Sequence, residues 1–178
     1  MPVTQFGRRL WAIKVHENLQ KLRAEIAATK NAFDRGAVVD SATLDGYERR
    51  YQTLHTEAKA VFGDGPVKAE YAGFDAFDTI KQKWDQGKEL AKVKLRDCEE
   101  TVQSADQATQ ARFLPVIRDE EKEFQDIDRK VIQIWKILQG ETRIRDSLLE
   151  GLLGDIGSLD DRVDRFFQRV DELFANVH

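Results

Sequence analysis

Apolar residues recur along the whole chain at the spacing of an α-helix. In the first segment, Val15, Leu19, Leu22, Ile26 and Phe33 follow each other at steps of four, three, four and seven residues. No segment alternates apolar and polar residues for long enough to form a strand. The pattern therefore predicts an all-α fold, an elongated antiparallel helical bundle or coiled coil of four to five long helices.

Glycine and proline divide this pattern into helices. The first helix is predicted over residues 4–35, because Gly36 suits the left-handed conformation that ends many helices. The second begins near Ser41 or Thr43, and the glycines and proline of residues 63–66 end it.

A third helix is predicted from residue 66 to about residue 107. A fourth is predicted to begin at Pro115 and to reach about residue 153, because the residue before a proline disfavours the helical conformation.

The C-terminal segment carries the longest uninterrupted apolar stripe, with steps that alternate between three and four residues. Four extra residues between Leu138 and Leu149 form a stutter in the repeat, and Gly140 lies within it. The pattern leaves open whether Gly154 and Gly157 break the last helix. The stripe consists of Leu149, Leu152, Ile156, Leu159, Val163, Phe166, Val170, Leu173 and Val177.

Helix lengths predict a partner for this stripe. If the helix that begins at Pro115 continued unbroken through the C-terminal stripe, it would have up to about 62 residues. The first helix has about 32 residues and cannot cover that length. The predicted interaction surface therefore comprises Leu149, Leu152, Leu159, Val163, Phe166, Val170 and Leu173. The alternative is that the stripe packs on the first helix of the same chain.

Composition excludes several classes of protein. The chain has 178 residues, a net charge of −4 and one cysteine, which excludes a disulfide framework and a cysteine-rich zinc site. No apolar run is long enough for a membrane span, and the charged N-terminus does not resemble a secretory signal. We expect a cytoplasmic protein.

No catalytic or metal-binding motif is present. None of the three histidines has a glutamate three residues before it, as a di-iron bundle would require. Cys98 lies on an apolar stripe between Leu95 and Val102, which predicts a buried thiol. We therefore predict no enzyme activity, no cofactor, no metal and no small-molecule substrate.

The N-terminal segment favours a second hypothesis. Aromatic and basic residues are clustered there, as in helices that lie on a membrane surface. These residues are Phe6, Arg8, Arg9, Trp11 and Lys14. Their aromatic rings could equally pack into a bundle, and the two hypotheses differ in whether an apolar patch stays exposed around Phe6 and Trp11.

The sequence as a whole favours a non-catalytic module. We predict a single elongated helical module over residues 1–178, or a domain of a longer protein, that binds a protein partner or itself through coiled-coil packing. The alternative is a bundle that binds or perturbs membranes through its basic N-terminal helix. Nucleic-acid binding is not expected, because the net charge is negative and acids interrupt the densest basic run, between Lys81 and Arg96.

Overall fold

The computed structural model describes residues 6–63, 65–140 and 146–178. About 90% of these residues are helical and none of them lies in a strand, which confirms the all-α class. The chain divides into two compact units, Met1–Asp75 and Ala76–His178. Each unit has its own buried residues, and the single module expected over residues 1–178 stays a prediction.

The first unit is a helical hairpin with a short cap. Helix α1 spans Phe6–Asp34 and α2 spans Ser41–Phe62. The short helix α3 (Ala69–Ala72) and a 3₁₀ turn (Gly73–Asp75) follow. Because the link between α1 and α2 is short and the two helices pack together, they run antiparallel.

Local signals set the turn of this hairpin where the sequence predicts it. Gly36 has a φ of +93°, and its backbone N–H donates to the Phe33 carbonyl over 2.9 Å. The Asp40 carboxylate accepts from the Thr43 backbone N–H over 2.8 Å, so it caps α2. Gly36 is therefore confirmed as the residue that ends the first helix.

The core of the first unit lies at the base of the hairpin, away from the turn. Trp11, Val15 and Val61 are buried together, and Tyr71 stacks on the Trp11 ring. The Arg8 guanidinium donates to the carbonyls of residues 60, 61, 63 and 65 at the end of α2. A cation there satisfies carbonyls that have no partner within the helix.

The second unit is a bundle of three helices of similar length. They are α4 (Ala76–Gln103), α5 (Gln107–Leu138) and α6 (Asp146–Val177). Each helix runs antiparallel to the next along the chain, so α4 and α6 run parallel. Two ion pairs connect these parallel helices with the same offset of 77 residues, Lys83 to Asp160 over 2.5 Å and Lys94 to Asp171 over 2.6 Å.

Aromatic rings fill the middle of this bundle. The ring centroid of Trp84 lies 5.2 Å from that of Phe124, 5.8 Å from Phe166 and 5.6 Å from Phe167. The Trp84 indole N–H donates to Asp128 over 2.9 Å, which satisfies its polar atom. Cys98 is buried between Leu95 and Val102 on the same face of α4, as predicted.

Two predicted helix boundaries are wrong. The predicted third helix is divided into α3, the 3₁₀ turn and α4, and α5 begins at Gln107 instead of Pro115. The Asp106 carboxylate accepts from the Thr109 backbone N–H over 2.8 Å and starts the helix earlier. Pro115 lies inside α5, where it removes one helical hydrogen bond that the buried face of the helix compensates.

The last two helices are also divided differently from the prediction. Helix α5 ends at Leu138, and Gly140 has a φ of +81°, a conformation that suits glycine at a helix end. Helix α6 continues through Gly154 and Gly157 without a break. The prediction that the fourth helix reaches residue 153 is therefore wrong. The sequence leaves open a break at Gly154 and Gly157, and α6 is continuous there, as its unbroken apolar stripe indicates.

Candidate interaction surface

The predicted C-terminal interaction surface lies inside the second unit. Six of its seven residues are buried and Leu149 is half-buried. The six are Leu152, Leu159, Val163, Phe166, Val170 and Leu173. This stripe packs on α4 and α5 of the same chain. The structure therefore differs from the predicted interaction surface, and it also differs from the alternative that the first helix covers the stripe.

Helix length explains this outcome. The expectation of a partner depended on a last helix of up to about 62 residues, and the end of α5 at Leu138 removes that excess. Helices α4, α5 and α6 have 28, 32 and 32 residues, so each is long enough to cover the others.

Two bidentate ion pairs hold α6 against α5. Arg162 binds Glu123 over 2.6 and 2.8 Å, and Arg169 binds Glu120 over 2.7 and 3.3 Å. The hydrogen bonds from Arg162 hold the pKa of Glu123 below its usual value. These charged residues beside the C-terminal stripe thus form ion pairs with α5 of the same chain.

The residues of the membrane hypothesis do not form an exposed apolar patch. Phe6 and Trp11 are buried in the first unit. Arg8 binds the end of α2, Lys14 pairs with Glu17 over 3.2 Å, and Arg9 is exposed. The aromatic side chains that would enter the headgroup region therefore lie in the core.

Exposed apolar side chains are concentrated at the far end of the α1–α2 hairpin. Ile26 is 42% exposed, Leu44 55% and Phe33 63%, and Val38 in the turn is almost fully exposed. These values are high for large apolar residues that lie on the predicted seams of both helices. The seams continue to this end of the hairpin, but none of the described residues of the first unit covers them.

These side chains surround a cleft of about 290 Å³, which we call the hairpin groove. It is lined by Ile26, Thr29, Lys30, Phe33, Val39, Leu44 and Tyr47.

Polar groups bound the hairpin groove. The hydroxyls of Thr29 and Tyr47 are 2.5 Å apart and join the two helices across its floor. On one edge of the hairpin, Arg50 forms a bidentate ion pair with Glu25, which holds the pKa of that exposed carboxyl below its usual value. Lys30 also lines the groove, and it pairs with Asp34 over 2.9 Å.

The sequence alone does not show that these seams are exposed, because their spacing is the same as that of a buried stripe. The one signal of exposure is the turn itself, where Val38 and Val39 are apolar in a segment that usually carries polar residues. The spacing of the apolar residues in a seam does not depend on how many helices cover it.

The second unit contains a further groove, of about 660 Å³, between α4 and α5. Glu99 and Glu121 line it together with Lys92 and Arg96, and burial raises the pKa of Glu121. Burial also raises the pKa of the Cys98 thiol, which opposes nucleophilic chemistry. Within residues 6–63, 65–140 and 146–178, no group of three potential ligands could hold a metal ion.

Comparison with known proteins yields no match to this chain among family models, curated proteins or solved structures. Among the described helices, none is both long and apolar enough to cross a bilayer.

Proposed function

We propose that this protein is a non-catalytic interaction module, and that it binds a helical protein partner through the hairpin groove. The observation that carries this proposal is the exposure of Ile26, Phe33 and Leu44 on adjacent helices. Large apolar side chains that remain in water on neighbouring positions are typical of surfaces that bind another protein.

The shape of the hairpin groove favours a helix as the ligand. Two antiparallel helices with half-exposed seams form a trough, and a third helix placed along it would cover both seams by knobs-into-holes packing. Burying the exposed part of each of the three large side chains would contribute about 1 kcal/mol per side chain. Polar groups on both edges would keep the partner in register.

The second unit supports this function as a stable body. Its apolar stripes are buried within one chain, and its ion pairs connect its own helices. Its exposed apolar residues include Leu90 and Val93 on α4 and Val116 on α5. Exposed apolar residues are common on soluble proteins and do not by themselves indicate binding.

The test compares two matched substitutions. Leu44→Asp places a charge in the hairpin groove, whereas Leu90→Asp places one at a similarly exposed leucine on α4, with 55% and 59% exposure respectively. The tagged wild type and both variants are used to purify bound proteins from the native lysate, including an untagged copy of the same chain. Each specifically bound protein is then titrated with the purified chain.

We expect a protein that is bound by the wild type and by Leu90→Asp but is lost with Leu44→Asp. Circular dichroism must show that both variants keep the helix content of the wild type. Equal binding by all three proteins would overturn the proposal, because the hairpin groove would then not be the binding surface.

A further inference from the structure

Charges beside the hairpin groove are distributed unequally between its two helices. Lys21 and Arg23 on α1, and Arg35 just after it, form no ion pair with another described residue, whereas Lys30 pairs with Asp34 over 2.9 Å within α1. On α2, the acidic Asp45 and Glu48 and the basic Arg49 form none either among the described residues. The groups that remain for an intermolecular contact are thus all basic on α1 and mostly acidic on α2.

The position of these charges can be read from the seams. On α1, Arg23 follows the seam residue Leu22, and Lys30 follows Thr29, which fills the seam position between Ile26 and Phe33. On α2, the seam consists of Leu44, Tyr47 and Tyr51, and Glu48 follows Tyr47. Glu25 and Arg50 precede seam residues, and they pair with each other on one edge of the hairpin. The residues that follow the seams therefore lie on the opposite edge, which is the edge where Lys30 lines the open groove.

The heights of these charges along the hairpin also agree. Thr29 contacts Tyr47, so these two residues lie level with each other on the antiparallel helices. Lys30 and Glu48 are their immediate neighbours, and they stand within about one helical turn of the same height.

We propose that the occupant of the hairpin groove is a second copy of the same hairpin, related by a two-fold axis along the hairpin so that α1 of each copy lies against α2 of the other. This inference rests on the proposed function and specifies its partner. The result is an intermolecular four-helix bundle whose core contains Ile26, Phe33 and Leu44 of both copies. It is an isologous contact, in which every interaction occurs twice.

Charge selects this arrangement over the other two-fold arrangement. If α1 lay against α1 of the second copy, Arg23 would face the same edge of that copy, where the acidic Asp34 already pairs with Lys30. If α1 lies against α2, this edge faces Glu48, which is acidic and forms no ion pair with another described residue. Like charges across such a seam are unfavourable and opposite charges favourable, so the hairpin is complementary to itself in one orientation only.

The experiment measures the mass of the full chain by sedimentation equilibrium over a wide range of concentrations. Three variants are compared with the wild type. Glu48→Lys places a base opposite the edge with Arg23 and Lys30. Lys30→Glu places an acid opposite Glu48 and also removes the ion pair of Lys30 with Asp34 in its own helix. The double variant exchanges the two charges. Glu89→Lys, at an exposed position on α4, is the control with the same change in net charge as Glu48→Lys.

We expect a reversible dimer for the wild type and for Glu89→Lys. Each single reversal should weaken dimerisation about tenfold, because each unfavourable pair occurs twice, and the double variant should recover most of the loss. High salt should reduce the differences among the variants. Circular dichroism must show unchanged helix content in all of them.

A wild-type chain that remains monomeric overturns this inference. So does a dimer that is insensitive to both charge reversals, because its interface would then lie elsewhere or in another orientation. These outcomes are distinguishable from failure of the proposed function. If the chain is monomeric but binds another protein, and Leu44→Asp abolishes that binding, the hairpin groove is still a docking surface. Only the second copy is then excluded as its occupant.

Discussion

Among the described glycines of the first unit, Gly7 leaves the least space for a Cβ atom, and this predicts that Gly7→Ala destabilises the protein. A Cβ atom at this position would lie 2.1 Å from the Tyr71 carbonyl oxygen and 2.8 Å from its carbonyl carbon. Both atoms belong to the backbone, so they cannot move away as the end of a flexible side chain could. Helix α1 must therefore shift by about 1 Å or more relative to α3.

The magnitude follows from three contributions. Overpacking against a fixed neighbour costs about 1–3 kcal/mol. The shift also disturbs the hydrogen bond from the Gly7 backbone N–H to the Asp75 carboxylate, which is 3.0 Å long and contributes about 1 kcal/mol. Alanine recovers about 1 kcal/mol through its higher helix propensity, so the net loss is about 1–3 kcal/mol.

Gly46→Ala is the matched control in the same unit. Gly46 lies inside α2, and a Cβ atom there would meet nothing within 4 Å. The substitution should therefore stabilise the protein by about 0.5–1 kcal/mol. The same chemical change is thus expected to have opposite signs at two helical positions.

The assay is urea unfolding followed by circular dichroism, together with hydrogen exchange of peptides from α1 and α4. Gly7→Ala should lower the unfolding midpoint and increase exchange in α1. A Gly7→Ala protein that is as stable as the wild type would refute the reasoning, because the close approach to Tyr71 would then not constrain this position.

Two further predictions concern the second unit. Native Cys98 should react with a thiol reagent only as fast as the protein unfolds, because it is buried and its pKa is raised; rapid labelling of the folded protein would contradict its place in the core. Glu123→Gln should cost about 1–2 kcal/mol at neutral pH. Since Arg162 lowers the pKa of Glu123, this stability is present above the unfolded-state pKa and is lost as the pH falls through the folded-state pKa. Urea midpoints of wild type and variant should therefore converge in acid, and a constant difference down to low pH would argue against the ion pair.

The hairpin turn illustrates what local sequence signals can predict. Gly36 supplies a positive φ, and Asp40 accepts a hydrogen bond from the start of α2. Both effects involve only a few neighbouring residues, so they hold whatever the rest of the chain does. Asp106 is a signal of the same kind, and it indicates the start of α5 correctly, whereas Pro115 does not.

The end of α5 had a larger consequence than its few residues suggest. Gly140 lies within the stutter and has a positive φ, but periodicity alone does not show that the helix ends there. Once it ends, three helices of matched length cover one another, and the stripe that contains Phe166 becomes the core of the second unit. Packing between helices decided that outcome, because burial inside one chain avoids the entropic cost of association.

The sequence by itself determined that this protein is helical and which face of each helix is apolar, since propensity and periodicity are properties of neighbouring residues. Only the tertiary structure decided what covers each face. Phe33 and Phe166 both lie on regular seams, yet the first is 63% exposed and the second is fully buried. The physical reason is the number of helices in each unit: three helices enclose a common core, whereas the far end of a two-helix hairpin leaves half of each seam in water.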